Sequence, residues 1–535
     1  MEIMINYWWV TRPKRKLDSV PEVLTVFAEL SLDQVWSGQR NTHLAYEDAL
    51  ENAGLKRAGE RRDQGGSGAR TYAAWLESLG LIFKQESTGN IMLTLAGEAI
   101  MDGDNPVSVL SWQVWKYQFP SAYSIGRGVD MNPRFHIRPF RFLLRLLMDS
   151  RIRYLTEEEI AKIVITEAEN ESDRCYEHVV DRILQFRSYG DEVLTGDFFD
   201  VYTSDRVKSS RTRKIAAGQP IDNPFGYLLD TANTMENWLE YTQICHRDYE
   251  NGGRMVVLDD KRRQAEAILS FSPPFIDHPE DEERYQRKYG IDLKHNKDTR
   301  DLTKSKTITA RVMMENKIRA SYIRLSMERP IYSITPDVVS MVCEGTGADA
   351  SLVEDYLSRN YHSGSIGAFL ASYHEMAFSG RDEATQFEKT TTDIFRDVFG
   401  YNAIHLGQTG SKSAPDILLI SDSDGYQAVI DNKAYSKYSI TGDHHNRMVH
   451  NYIEGIGNYS SCTYPIGFFS YIAGGFISTI DSQIQSEAVE SGINGSCITV
   501  DNFIQMIQRA HETPYTHQKL RKIFGLNRRI LMSDI

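Results

Sequence analysis

Tyr72, Trp75, Leu76 and Leu79 recur at i, i+3, i+4 and i+7, the spacing of one apolar helix face, so 70–79 is predicted helical with Gly80 as its stop. Strand-like residues at 81–84 and 91–95 flank the turn Ser87-Thr88-Gly89-Asn90. The same order returns with Met235, Trp238, Leu239 and Thr242 on a helix, strands at 243–247 and 254–258, and a turn at 250–253 between them. Helix, strand, turn, strand is the order of a winged helix-turn-helix, and equally of small α+β pieces with no groove to read. Residues 155–165 and 175–186 also carry helical spacing. From Ser272 to Asp301 the chain turns to Pro and charge, with Pro273, Pro274 and Pro279 as breakers, which marks a domain boundary. Mostly helical pattern follows over 307–361.

Farther on, two apolar strand patterns in 414–435 are separated by Asp422, Asp424 and Gly425, the signature of a hairpin. Alternation along the second strand sends Val429, Asp431 and Lys433 to one face and Ile430 and Asn432 to the other. Asp416 opens the first strand, so pairing brings Asp416 toward Asp431. Two aspartates offer hard oxygen to Mg²⁺, which keeps several of its waters, and an adjacent ammonium can orient water and neutralise phosphate charge. That set suits phosphodiester hydrolysis; the alternative is a polar hairpin facing solvent. Upstream, 386–399 is predicted helical and ended by Gly400. Glu388 lies on its inner half, either as a further carboxylate for metal-bound water or as a surface residue beside the apolar stripe.

Composition adjusts this picture in three places. With 535 residues, 41% of them hydrophobic and 25% charged, the chain is long enough for two or three domains, and no apolar run approaches the ~20 residues that span a bilayer, so no membrane partner is expected. Tyr7, Trp8 and Trp9 before the basic run Arg12, Lys14, Arg15, Lys16 reverse the order of a secretory signal, so a cytoplasmic location is expected. Five scattered cysteines have neither disulfide nor zinc spacing and are expected to be reduced and idle. A net charge of −13 argues against a uniformly basic DNA-binding surface, but the basic residues are clustered. Arg206, Lys208, Arg211, Arg213 and Lys214 form one knot, Lys56, Arg57, Arg61 and Arg62 a second, Arg134, Arg138, Arg141 and Arg145 a third, and Arg12, Lys14 and Arg15 lie near the N-terminus. The acidic excess can lie on the opposite face, and the first knot is either a set of phosphate contacts or a solvated charge run. The first knot and Arg12, Lys14 and Arg15 are the DNA-binding candidates, with the helices at 70–79 and 231–242 as candidates for groove entry.

The segment IFRDVFGYNAIHLG, the PD of the hairpin, VIDNKAYS, YPIGFFSYIAGGF and ITVDNFIQMI occur in the order found in the PD-(D/E)xK nuclease superfamily, and 373–506 resembles the cleavage domain of the FokI type IIS restriction endonuclease. The resemblance implies Asp416 and Asp431 as metal ligands, Lys433 as the catalytic lysine, Glu388 as the helix carboxylate, and the main-chain carbonyl of Asn432 as a further ligand to Mg²⁺. At the other end, YWWVTRPKRKLDSVPEVL, WLESLGLI with LTLAGEAI, and WQVWKYQFPS resemble the recognition domain of the AlwI, MlyI and PleI group, which includes nicking enzymes.

Together these imply a multidomain α+β protein. Winged-helix recognition subdomains fill 1–271, a linker and helical connector 272–370, and an α/β nuclease domain with a mixed central sheet 371–535. The function implied is Mg²⁺-dependent cleavage of double-stranded DNA at a fixed distance outside a short asymmetric site. Partners would be DNA, a transient homodimer of nuclease domains or a small partner subunit, and a cognate methyltransferase. Open alternatives are a strand-specific nicking enzyme or the large subunit of a heterodimer, a repair, recombination or modification-dependent nuclease, and a DNA-binding regulator with an inactive nuclease domain.

Overall fold

The helix expected at 70–79 spans Ser67–Ser78 (α1), with Tyr72, Trp75 and Leu76 buried. It leads into an antiparallel hairpin, Ile82–Lys84 (β1) and Ile91–Leu93 (β2), in which Ile82 pairs with Leu93. Leu95, expected in the second strand, instead begins the helix Leu95–Met101 (α2), because the Thr94 hydroxyl accepts the Gly97 N–H at 3.1 Å and caps it. This computed structural model describes residues 5–59, 65–125, 131–194, 196–202, 225–248, 252–302, 310–361, 364–378, 380, 383–407 and 414–535. They fall into two compact units, Met1–Ala368 and Phe369–Ile535.

Within the first unit the order of helix and hairpin recurs as Gly226–Tyr241 (α4, numbered after Pro139–Met148, α3), Cys245–Asp248 (β3) and Arg254–Val257 (β4). β3 starts two residues later than the apolar pattern indicates because Gln243 takes a left-handed φ of 60°, which belongs to a turn. Leu155, expected at the start of a helix, bridges Met255 antiparallel, and the helix begins at Glu157 behind a Thr156/Glu159 capping box. The Pro- and charge-rich 272–301 stretch lies within the first unit: Tyr285 and Tyr289 are buried in the same core as Trp8, Trp75 and Trp238, and the Lys116 ammonium donates to the carbonyls of Tyr289 and Ile291 at 2.6 and 2.8 Å. Helices Ala310–Glu328, Pro336–Thr346 and Ala350–Asn360 enclose a separate cluster around Tyr322, Val342 and Leu357. Among the described residues no helix is long and apolar enough to cross a membrane.

The second unit is built on one six-stranded sheet. Asn402–His405 (β5), Ile417–Ser421 (β6) and Tyr426–Lys433 (β7) run antiparallel as neighbours, and Ile466–Ala473 (β8), Gly495–Thr499 (β9) and Arg528–Arg529 (β10) continue from β7 in parallel, so the sheet is mixed. Alternation along the strands feeds two helical layers. On one face the helix Ala384–Asp397 (α5) contributes Phe395, which meets Phe503 of Val500–Glu512 (α8) and Phe524 of His517–Phe524 (α9), while Phe524 stacks on Phe468. On the other, Val429, Phe469 and Tyr471 pack with Met448 and Tyr452, which follow the short helix Gly442–Asn446 (α6), and with Ile484 of Ile480–Ser491 (α7).

Phe469 lies directly over Gly495 of the next strand, and a Cβ built on Gly495 would sit 2.1 Å from the ring. Gly495→Ala is therefore expected to destabilise this unit by about 1–3 kcal/mol through overpacking. A fall in the urea midpoint at constant m-value checks this, and an unchanged midpoint would contradict it.

Candidate active site

The hairpin β6–β7 is closed by Gly425, whose φ of 63° a turn requires, and by its N–H donating to the Ser421 carbonyl. Ile417 pairs with Ile430, so Asp416 and Asp431 come next in register on neighbouring strands. Asp416 Oδ2 accepts the Asn432 N–H at 2.7 Å. Asp431 is 4% exposed, and its carboxylate meets the Lys433 ammonium at 2.5 Å. Burial and the charge of Asp431, with which it shares a hydrogen bond, hold the Asp416 carboxyl well above the usual carboxylate range, against the pull of Lys433; Glu388 adds to the rise. Burial drags Lys433 down, but Asp431, Asp416 and Glu388 outweigh it and leave its ammonium more firmly protonated than usual.

Asn432 points the other way. Its buried side chain donates to Thr391 Oγ1 at 2.6 Å and to the Phe387 carbonyl at 3.4 Å on α5, and Thr391 also meets the Tyr373 hydroxyl at 2.8 Å. Anything Asn432 offers to the Asp431 side must therefore come from its main chain. Glu388 stands on α5, where its Oε2 lies 3.0 Å from His405 Nε2 at the end of β5. The Leu406 and Gly407 N–H groups donate to the Asp416 carbonyl at 2.7 and 3.2 Å. Neither His405 nor Gly407 was singled out by the sequence, although both lie in the IHLG segment; the signal that locates them is the β5–β6 register, in which His405 faces Ile417, the neighbour of Asp416.

Among the described residues no group of three or more His, Cys, Asp and Glu side chains forms a ready metal cage. The donor set at the hairpin is two carboxylates with like-charge strain, relieved by protonation and by one ammonium. Hard, acidic and sparse, it fits a small divalent cation that retains its own waters. Asp416 and Asp431 are the residues that would hold it.

Across the sheet from Asp431, Tyr471 of β8 donates its hydroxyl to Glu487 Oε1 at 2.9 Å. Glu487 is fully buried, and burial pushes its carboxyl from an ordinary 4.5 up to about 8, with Asp431 contributing and the Tyr471 hydrogen bond opposing. A raised folded-state value means that the favourable, protonated form is fully present below the unfolded value and is lost as pH rises through about 8. Glu487→Gln is expected to remove a loss of up to about 1.4 kcal/mol per pH unit between these limits. Unfolding midpoints at pH 5.5 and 8.0 check this; equal pH slopes in variant and parent would rule it out.

In the first unit the basic clusters fare differently. Arg206, Lys208, Arg211, Arg213 and Lys214 lie outside the described residues, as do Arg61 and Arg62. The Arg12 guanidinium packs over Trp9 at 4.6 Å, and burial lowers its pKa. Burial also lowers Lys14, opposed by Glu22 and Asp18, and Arg15 pairs with Asp230 at 2.8 Å. Lys56 pairs with Glu47 and Glu51. In the third knot Arg134 binds Glu169, Arg138 binds Glu171, Arg141 donates to the carbonyls of Ile268 and Leu269, and Arg145 pairs with Asp173. These guanidinium groups hold α3 and its surroundings together, so they do not form a free basic face.

Residues 347–531 match the family described as FokI, cleavage domain, a span that contains Asp416, Asp431, Lys433, Glu388 and His405. No curated protein sequence matches the chain. Similar solved structures include the restriction endonuclease FokI (12% identity, TM-score 0.27, 98% of this chain and 99% of that one) and FokI bound to DNA (13%, 0.27, 98% and 100%). The binding domain of the BpuJ1 endonuclease, in complex with pyrene- and phenanthrene-modified DNA, is 15% identical with a TM-score of 0.36, covering 54% of this chain and 96% of that one.

Proposed function

We propose that the chain is a type IIS endodeoxyribonuclease that requires Mg²⁺, binds a short asymmetric sequence in double-stranded DNA and hydrolyses phosphodiester bonds at a fixed distance outside it. The observation that carries this is the convergence of Asp416, Asp431 and Lys433 at the open end of one hairpin, inside the segment that matches the FokI cleavage-domain family. In this reading 371–535 is the nuclease domain, 1–271 the recognition part, with α1–β1–β2 and α4–β3–β4 as winged-helix units, as in the AlwI, MlyI and PleI group, and 272–370 a connector whose first stretch packs into the recognition core through Tyr285 and Tyr289.

Asp416 and Asp431, with the Asn432 carbonyl, would hold Mg²⁺, which when bound supplies charge neutralisation at the scissile phosphate and a more acidic water. The residues do the remainder. Asp431 fixes the Lys433 ammonium at 2.5 Å, leaving other N–H donors of that group for the attacking water and a phosphate oxygen. The Asn432 N–H fixes the Asp416 carboxylate, and Thr391 and Tyr373 hold β7 from behind through the Asn432 side chain. Glu388 is the additional carboxylate. Arg206, Lys208, Arg211, Arg213 and Lys214, with Arg12, Lys14 and Arg15, are proposed for phosphate contacts. One site cuts one strand at a time, so double-strand cleavage requires a transient pair of nuclease domains or a partner subunit; without either, the enzyme nicks. A cytoplasmic restriction role further implies a cognate methyltransferase.

The test is incubation of the purified protein with plasmid and phage DNA in Mg²⁺ or EDTA, followed by run-off sequencing of both strands. Mg²⁺-dependent ends at constant offset from one short sequence support the reading and distinguish nicking from double-strand cleavage. Scattered ends would point to a repair, recombination or modification-dependent nuclease, and binding without cleavage to a regulator.

A further inference from the structure

Glu388 is held from a direction that the hairpin motif does not supply. Its carboxylate Oε2 meets His405 Nε2 at 3.0 Å, and both side chains are largely buried, at 15% and 14% exposure. Directly beneath them is Gly407: a Cβ on that residue would lie 2.1 Å from Glu388 Oε2 and 3.0 Å from His405 Nε2. The carboxylate therefore rests on bare backbone. The same short stretch ties down Asp416, because the N–H groups of Leu406 and Gly407 both donate to the Asp416 carbonyl. Glu388 in turn acts electrostatically on Asp416 and Lys433. Residues 405–407 thus anchor the main chain of one proposed ligand and the carboxylate of another acidic group that acts on it.

We propose that His405 is a positioning residue of the cleavage site, fixing the Glu388 carboxylate in one orientation over the segment that also holds the Asp416 main chain, with Gly407 as the seat that leaves room for it. This rests on the nuclease reading above. Stability alone does not call for the pair. α5 is already attached to the sheet through buried Phe387, Ile394 and Phe395, and a partly buried carboxylate with imidazole costs desolvation that an apolar contact would avoid. A carboxylate that must orient water, in contrast, gains from losing its rotational freedom beforehand. The contact needs only a ring N–H, which the neutral imidazole can donate as well as the charged one.

The experiment compares His405→Ala, His405→Gln, Gly407→Ala, Glu388→Gln and the double variant His405→Ala/Glu388→Gln with the parent. Single-turnover cleavage in Mg²⁺, DNA affinity in EDTA, calorimetric titration with Mn²⁺ and the thermal midpoint are measured for each. His405→Ala and Gly407→Ala are expected to slow cleavage roughly 10- to 100-fold at saturating DNA and to weaken Mn²⁺ binding, with DNA affinity unchanged. His405→Gln, which restores an N–H of similar reach, should recover most of the rate. The double variant should be no slower than Glu388→Gln, since His405 acts through that carboxylate. Parental cleavage together with a full-rate His405→Ala, or with multiplying losses in the double variant, overturns the positioning role and leaves the nuclease reading standing. If the parent neither cuts DNA nor binds Mn²⁺, the nuclease reading fails and the positioning role fails with it. Should His405→Ala not fold, Gly407→Ala and His405→Gln carry the same comparison.

Discussion

Lys433→Ala is expected to lower the single-turnover cleavage rate roughly 10²- to 10⁴-fold while leaving DNA affinity in EDTA within about twofold of the parent. Lys433 pairs with Asp431 at 2.5 Å, and its ammonium carries further N–H donors that can serve both a water and a phosphate oxygen. Removing it also leaves Asp416 and Asp431 facing each other without their counter-charge. The metal-free variant should therefore be less stable, by on the order of 3 kcal/mol, the cost of breaking a buried pair from one side. Lys433→Arg should not rescue cleavage, because a planar guanidinium cannot take the place of a compact ammonium held at 2.5 Å. Quench-flow rates, filter binding and thermal midpoints in EDTA provide the three readings. A Lys433→Ala protein that cuts at the parental rate would remove Lys433 from the mechanism.

How much of this was open to reading before folding depends on the range of the interaction. The hairpin was legible because its determinants are local: alternation over 417–421 and 426–433, and a glycine with positive φ to close it. From that alone Asp416, Asp431 and Lys433 could be brought to one place. α5 was legible too, within a few residues, from the spacing of Phe387, Ile394 and Phe395. His405 was not, since its partner Glu388 is seventeen residues earlier on another element and only the packing of β5 beside α5 brings them together. Leu155 failed for the same reason: its helical spacing loses to a bridge with Met255, one hundred residues on. The arginine knot in α3 and just before it shows the limit for charge. Sequence counts guanidinium groups, but whether they face phosphate or the chain's own carboxylates and carbonyls depends on Glu169, Glu171 and Ile268, which arrive from elsewhere.

Asp416→Asn should abolish cleavage and, in EDTA, make the second unit more stable. The two effects have one cause. In the parent, burial and the neighbouring Asp431 raise the Asp416 carboxyl, so the folded state favours its protonated form. The stability associated with that proton is complete below the unfolded value near 3.8 and is lost as pH rises through the higher folded-state value. An asparagine retains the oxygen that accepts the Asn432 N–H at 2.7 Å and offers Asp431 an N–H where the parent offers a proton that it must give up. The advantage of the variant should therefore grow from pH 5 to pH 8, reaching about 0.5–2 kcal/mol, the usual size of a single stabilising substitution. For a unit of this size that is about 2–4 °C per kcal/mol. Mg²⁺ should act in the opposite sense: it stabilises the parent by mass action on its carboxylate pair but has little to bind in the variant, so the thermal shift between EDTA and Mg²⁺ should largely disappear. A variant less stable than the parent in EDTA at pH 8, or one with the parental Mg²⁺ shift, would show that Asp416 is neither the strained carboxyl nor a ligand. The predicted outcome, a protein that is firmer without metal and inert with it, would identify the charge repulsion at Asp416 and Asp431 as the feature the cation is bound to relieve.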